Sequence, residues 1–572
     1  MTTTISQLDP ADLPSLTAAY QELIDRPIAS PADLDRWLTD FSDLTATVDE
    51  LGTRRYIAKT CNTADPDIEK AFLDFVQRIE PAIKPPYFEL QKKYLASPHR
   101  AALLASKDGH RHQMLTRKWQ ADVELFRPEN IPLSVQITEI VNDYDKINGS
   151  LSVVHNGKEY TLQQASRFLE DPDRTTRETV WKLIAHRRLQ ERAKVDDLFS
   201  SIIPLRHKLA QNAGKSDFRA FTWTELKRFD YTPEDCINFA SSIEQSVMPL
   251  IVKLDEHRRQ KLGVDKLRPW DRTTTTSDVA VDITGDQPLR PFSSDDIPTL
   301  IHKTTQVFDR VSPLLAADFD SLRANNNLDL ASRKAKAPGG YQSSLEKVKQ
   351  PFIFMNAAGL QRDLETLLHE GGHAFHYIAA AKTEPLVFLR SAPIEFCEVA
   401  SMGMELLAQD HLDVFYTPED SRRAGLAHFE SILRFFPWMA MIDQFQHWLY
   451  THPTHTADQR TAAWRKLIQR FGGACDWTGL EDARDALWQR QLHLFHVPFY
   501  YVEYGIAQLG ALQLWLMARQ DPRRAVERYR AALALGGTRP LPDLFAAAGI
   551  HFDFSQKTLA PLMQAVAEEL QL

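Results

Sequence analysis

Residues 363–376 read DLETLLHEGGHAFH, and this stretch decides the fold. It contains His369-Glu370-x-x-His373. On an α-helix, positions four apart stand one turn apart on the same face. Both imidazoles therefore reach a single ion, and Glu370 can act on a water held there. Neutral imidazoles suit zinc, and with a third protein ligand a fourth position stays open for water. Gly371 and Gly372 interrupt the same helix, each at a cost of about 1 kcal/mol against alanine. That cost predicts close approach by another backbone or by a substrate.

The third ligand must come from elsewhere. A metzincin would carry a histidine at position 379, which is Ala379 here, so that pattern is excluded. Residues 393–409, PIEFCEVASMGMELLAQ, predict a following helix whose acids are Glu395, Glu398 and Glu405. Glu398 and Glu405 share a face, flanked by Val399, Met402 and Leu406. Buried carboxylates are costly unless paired or metal-bound, so one as ligand and one accepting a histidine N–H is an economical arrangement. Periodicity leaves the choice among the three open.

Further candidates lie on both sides. His493, His496, Tyr500, Tyr501 and Tyr504 crowd into HLFHVPFYYVEY. A phenol or imidazole can donate to the oxyanion that develops when water attacks a carbonyl. Pro338-Gly339-Gly340-Tyr341 reads as a loop, and residues 352–357, with Met355, Asn356 and Ala357, as a short strand before the histidine helix. An exposed strand edge there can pair with an extended peptide through main-chain hydrogen bonds. Gly339, Gly340, Tyr341, Met355, Asn356 and Ala357, with His496, are therefore candidate substrate contacts.

Elsewhere helical periodicity dominates. Leu34, Trp37, Leu38, Phe41, Leu44, Val48 and Leu51 form one stripe, opened by Ser30-Pro31 with Asp33 three residues on. A second stripe, Ile68, Phe72, Phe75, Val76 and Ile79, is expected to stop at Pro81 and Pro85-Pro86, giving an opening helical pair. Residues 150–162 alternate around Asn156-Gly157 and predict a hairpin. Thr232 and Thr417 are expected helix caps, and residues 271–296 a surface excursion or short-stranded insert. The chain has 572 residues, a net charge of −9, 25% charged and 43% hydrophobic side chains, and four scattered cysteines. Such a composition excludes a disordered chain, a nucleic-acid binder and a disulfide framework. With no leader in residues 1–16 and no long apolar run, a cytoplasmic protein without membrane or obligatory protein partners is expected.

HEGGHAFH with Glu398 in EVAS resembles the oligoendopeptidase F and thimet oligopeptidase family of zinc peptidases. FDYTPED from Phe229, LRPWD from Leu267, APGGYQSSL from Ala337 and FIFMNAAG from Phe352 are similar to its oligoendopeptidase F branch. HLFHVPFYYVEYG from His493 and AAGIHFDFS from Ala547 complete the set, which runs from about Arg117 to the C-terminus. The resemblance implies a metalloendopeptidase acting on oligopeptides, with one zinc ion on His369, His373 and Glu398 and with Glu370 as general base. It implies Glu405 and Glu365 as carboxylates supporting the ligands. Oxyanion donors would come from Tyr504, His493, Tyr501 and Tyr500, in that order. The implied fold is mainly α, a zincin-type helical ellipsoid with a deep substrate channel and small antiparallel β elements. Residues 1–115 would form an N-terminal helical region, 116–195 a small lobe with the hairpin, and 196–572 the catalytic domain. Two other readings are a carboxypeptidase, which needs a fixed base for the substrate carboxylate, and a helical peptide-binding protein with a structural metal, which needs a fourth protein ligand.

Overall fold

The computed structural model describes residues 8–272 and 289–572. The expected insert at 271–296 therefore lies largely outside the described residues. Helices carry the architecture. The ones used below are α1 (Pro31–Cys61), α2 (Glu80–Ala96), α3 (Asn130–Gly149), α4 (Arg174–Asn212) and α5 (Ile297–Val311). They continue with α6 (Gln361–Thr383), α7 (Ile394–Ala408), α8 (Pro418–Thr451), α9 (Ala457–Phe471) and α10 (Tyr501–Gln520). The strands are β1 (Ser152–His155), β2 (Lys158–Thr161), β3 (Leu328–Ala331), β4 (Tyr341–Leu345) and β5 (Gln350–Ala357). Among the described residues no helix is long and apolar enough to cross a membrane. The chain forms two compact units. One comprises Met1–Glu124, Leu289–Ser421 and Gly510–Phe552, the other Leu125–Pro288, Arg422–Leu509 and Asp553–Leu572.

In the first unit, Ser30 caps α1 by accepting the Asp33 N–H at 3.2 Å. The stripe from Leu34 to Val48 is buried, and Leu51 is half-buried. Phe41 is its centre, with ring centroids 5.7 Å from Trp37, 5.6 Å from Trp119 and 5.0 Å from Phe388. Phe388 belongs to the turn between α6 and α7, so the N-terminal helices brace the connection between the two helices that matter most.

The second stripe differs from expectation. Only Ile79 of it is buried, and Val76 is 37% exposed. Nor do the prolines stop the helix. Pro81 sits in the first turn of α2, and Pro85 and Pro86 lie inside it. The accommodation is a π-helical turn, Phe75–Ile79, in which the Glu80 N–H bonds the Phe75 carbonyl. Widening the turn by one residue absorbs the i→i−4 donor that proline lacks. Phe75 also lies against Gly52 of α1, where a Cβ would meet its ring at 2.6 Å.

The three-stranded sheet has the order β3-β5-β4. β4 runs antiparallel to β5, from Tyr341↔Phe354 to Leu345↔Gln350, but β3 runs parallel to it, so this sheet is mixed instead of wholly antiparallel. β5 is central and mostly buried. It leads into α6 through Gly359, whose φ of +86° suits glycine. The Asp363 carboxylate then accepts the Ala358 and Leu360 N–H groups at 2.6 and 2.9 Å, fixing where α6 starts.

In the second unit, β1 and β2 form the hairpin in register Val153↔Tyr160, with Asn156 and Gly157 at φ +50° and +75°. A two-residue loop with positive φ at both positions is the type I′ turn that Asn-Gly favours. Thr232 caps its helix in a reciprocal box with Asp235, and in the first unit Thr417 accepts the Asp420 N–H.

Phe41→Ala removes a ring that is 0% exposed and touches four other aromatics, Trp37, Tyr87, Trp119 and Phe388. It is expected to cost about 3–5 kcal/mol of stability, measurable as a lower urea midpoint for unfolding.

Candidate active site

The site begins where α6 and α7 touch. A Cβ on Gly372 would collide with the Ala400 carbonyl oxygen and stand 2.6 Å from Ser401 Cα, so the helices meet backbone to backbone. Gly371 faces a side chain, the Phe308 ring of α5, 2.7 Å from where its Cβ would be. The two glycines thus answer to helix packing. Ala400 is held in turn by the Tyr529 hydroxyl, which donates to its carbonyl at 2.7 Å.

This contact brings Glu398 of α7 to both histidines of α6. Its Oε2 lies 3.4 Å from His369 Nε2 and 3.5 Å from His373 Nε2. Tetrahedral ligands about 2.0–2.2 Å from one ion stand about 3.3–3.6 Å apart, so the three atoms have the separation a metal imposes. The histidine side chains are 23% and 18% exposed, which leaves one side of the group open. Glu405 accepts from His369 Nδ1 at 2.6 Å, turning Nε2 inward. Ser401 Oγ donates to Glu398 Oε2 at 2.9 Å. Glu365, one turn before His369, accepts from Gln361 Nε2 at 3.0 Å. Glu395, in the first turn of α7, is buried.

Charges follow the geometry. Burial pushes the Glu398 carboxyl up, but His373 and His369 bring it down to about 2. Burial, opposed by Glu398, lowers His373 to about 4. His369 is also pulled down by burial, yet its bonds to Glu398 and Glu405 raise it well above the usual histidine value. Glu370 is buried and raised to about 7 by desolvation, with His369 and the backbone amide of Gln342 on β4 pulling the other way.

β4 and its loop border this group. Gly340 passes α6 so closely that a Cβ would lie 3.1 Å from Thr366 Cγ2. Asn356 Nδ2 donates to the Ala337 and Gly339 carbonyls at 2.7 and 3.0 Å and holds the loop. Tyr341 stacks on Phe354 and shares a hydrogen bond with Thr60. The expectation for Met355, Asn356 and Ala357 needs correction. They lie at the end of the central strand, past its last pair with β4 (Tyr341↔Phe354) but beside β3 (Ala331↔Ala357), and Met355 and Ala357 are 2% and 1% exposed. Among the described residues the outer strands of this sheet are β3 and β4.

In the second unit, His493, Tyr500, Tyr501 and Tyr504 form one cluster. His493 lies 4.8 Å from Tyr501 and 6.1 Å from both Tyr500 and Tyr504, centroid to centroid. Burial, with help from His496, lowers His493 to about 4, and Gln491 bonds its Nδ1 at 2.7 Å. His496 is exposed and pairs with Asp145 of α3 at 2.8 Å. Sequence reading missed what holds the cluster. Phe499 adopts φ +65°, a strained value for a bulky residue, and its carbonyl accepts from Arg228. Arg228 in turn pairs with Glu503 at 2.8 Å, both fully buried. No local spacing links residues 228 and 503, so only the folded chain reveals the pair. The other group of potential metal ligands among the described residues, Cys236, Asp443 and His447, is wholly buried.

The model of peptidase family M3 matches residues 167–563, and that of the peptidase M3 N-terminal domain matches residues 7–126. The oligoendopeptidase F homolog of Mycoplasma pneumoniae is 23% identical over 79% of this chain and 75% of its own. The solved structure of Pz peptidase A with an inhibitor is 26% identical, with a TM-score of 0.88 over 99% of both chains. A solved oligoendopeptidase F structure, also 26% identical, gives 0.88 over 100% of this chain and 99% of that one.

Alanine is favoured over glycine in a helix by about 1 kcal/mol. Gly372→Ala is nevertheless expected to lower both thermal stability and bound metal, because the Ala400 backbone cannot yield. Gly371→Ala meets only a phenyl ring and should keep its metal. Elemental analysis of the two purified variants checks this.

Proposed function

The chain belongs to peptidase family M3, in its oligoendopeptidase F branch, and is a metalloendopeptidase; on that premise we propose that one zinc ion on His369, His373 and Glu398 serves the hydrolysis of short oligopeptides, with Glu370 as general base. The observation that carries the reading is the convergence of two imidazole nitrogens and a carboxylate oxygen at 3.4–3.5 Å. Two imidazoles and one carboxylate, with an open side, are the donor set of a catalytic zinc. When bound, the ion acts as a Lewis acid on the scissile carbonyl and makes water acidic enough to deprotonate near neutral pH.

The chain's own groups do the rest. Glu405 orients His369 through Nδ1, and Ser401 fixes the Glu398 carboxylate. Glu370 takes the proton of the attacking water on its carboxylate and passes it to the leaving amine. β4, an outer strand, offers its edge to an extended peptide, whose main chain would pair there with little regard to side chains. Its Gln342 amide already bonds Glu370, which supports placing the base beside that edge. The His493–Tyr504 cluster is proposed to donate to the oxyanion, with Tyr504 first and then His493, Tyr501 and Tyr500. Cysteine usage supports a cytoplasmic location.

Glu370→Gln is expected to keep its metal and lose turnover by about 10²–10⁴-fold, and Glu398→Ala to lose the metal, whereas Glu395→Ala keeps it. A quenched peptide blocked at both ends is the substrate to use. Wild-type cleavage of it separates endopeptidase from carboxypeptidase action, and apo protein in Glu370→Gln would overturn the assignment of the base.

Tyr504→Phe deletes only a hydroxyl. If that group serves the transition state alone, kcat and kcat/KM fall together by about 10²–10³ with KM unchanged. A raised KM at constant kcat would make it a substrate contact.

A further inference from the structure

The second unit holds a mostly apolar cavity that the peptidase reading does not use. It lies among α3, α4, α8 and α9 and has a volume of about 170 Å³. Its walls are mostly apolar: Trp181 and Ile184 from α4, Trp438 and Met441 from α8, Phe471 from α9, and Ile251.

The charges on those walls do not cancel. Among the described residues Glu191 is the one acid in the lining, and it is engaged by Lys194 at 2.7 Å and Arg187 at 2.9 Å. Two lining arginines are paired: Arg272 with Asp255 at 3.1 Å, and Arg434 with Asp255 at 2.9 Å and Glu430 at 2.8 Å. Arg490 rests on the Trp438 ring, 4.5 Å from its centroid. Arg188 is different. Among the described residues it makes no ion pair and no side-chain hydrogen bond, and its Nε is shut off from water without an acceptor. Burial, with Arg490 nearby, lowers its pKa to about 10. A guanidinium facing an apolar cavity without a counter-ion is costly, and a carboxylate is the partner its planar fork fits.

We propose that this cavity is a binding site for an apolar monocarboxylate, with Arg188 gripping the carboxylate and the tryptophan-lined walls taking the body. One unmatched cation and few free donors suit a single negative charge and not a phosphate dianion. Two sources share this chemistry, a fatty acid and the C-terminal residue of a peptide.

Calorimetric titration of the full-length metalloprotein with decanoate and, separately, with N-acetylphenylalanine tests the proposal. At least one should bind at one site per chain, and which of them binds identifies the source. 1-Decanol and N-acetylphenylalanine amide, which lack the charge, should bind at least tenfold more weakly. Arg188→Met should weaken carboxylate binding at least tenfold while keeping the thermal midpoint and peptide turnover, and Arg188→Lys should restore much of it. Binding at the metal centre would be indifferent to residue 188. The proposal is overturned if neither carboxylate binds, if the neutral analogues bind as well, or if Arg188→Met binds like wild type. The comparison with neutral analogues needs no variant, so it decides the matter even if Arg188→Met does not fold.

Discussion

The approach of α6 to α7 at Gly372 is the contact on which the site depends. Two helices with ordinary side chains pack with axes about 8–10 Å apart. Removing the side chain at one crossing point lets the Ala400 carbonyl and Ser401 Cα sit where a Cβ would be. Only at that spacing does a glutamate, a short-reaching ligand, place its oxygen 3.4–3.5 Å from both imidazoles. The same face of α7 is pinned from behind by Tyr529 on the Ala400 carbonyl, and Gly403 admits Leu514 and the Tyr529 ring. Small residues on one helix and a tyrosine anchor on its far side therefore act as a single device.

Around that device the first unit is built to hold position. Asp363 and Gly359 fix the entry of β5 into α6, and the α1 aromatic cluster reaches the turn between α6 and α7 through Phe388. The N-terminal helices thus act on the site without touching it. Carboxylates follow the same logic: buried Glu398 and half-buried Glu405 each have a histidine partner, and Glu398 has a serine donor as well. A carboxylate in such a place is stable only when its lone pairs are used.

The second unit manages charge by pairing. Arg228 with Glu503, and Asp255 with Arg272 and Arg434, are ion pairs in which the acid is fully buried. The Arg228 pair stands beside Phe499, whose strained backbone sets the turn into the tyrosines of α10. Strain of this kind persists only where surrounding contacts outweigh it. Against that background Arg188, with neither an acid nor a hydrogen-bond acceptor among the described residues, is an exception that a ligand would resolve; Arg206, also without an acid, has carbonyl acceptors.

Local patterns in the chain were enough for the helical class, the Ser30 and Thr232 caps, the Asn156-Gly157 turn and the His369–His373 pair. Each of these is settled within a few residues by backbone geometry or helical period. Two glycines inside α6 also announced a close approach, though not whose. The sequence could not choose among Glu395, Glu398 and Glu405 by period alone, because all three fit one helix and only the position of α6 distinguishes them. It misjudged Pro81, since a π turn costs little once Phe75 has Gly52 to pack on. It also placed a peptide-pairing edge partly on residues 355–357, because strand order is a property of the sheet and not of any strand. Arg228 with Glu503, Ser401 on Glu398 and the unmatched Arg188 emerged only from the folded chain. Burial and long-range proximity decide which charges are answered, and neither is written in local spacing.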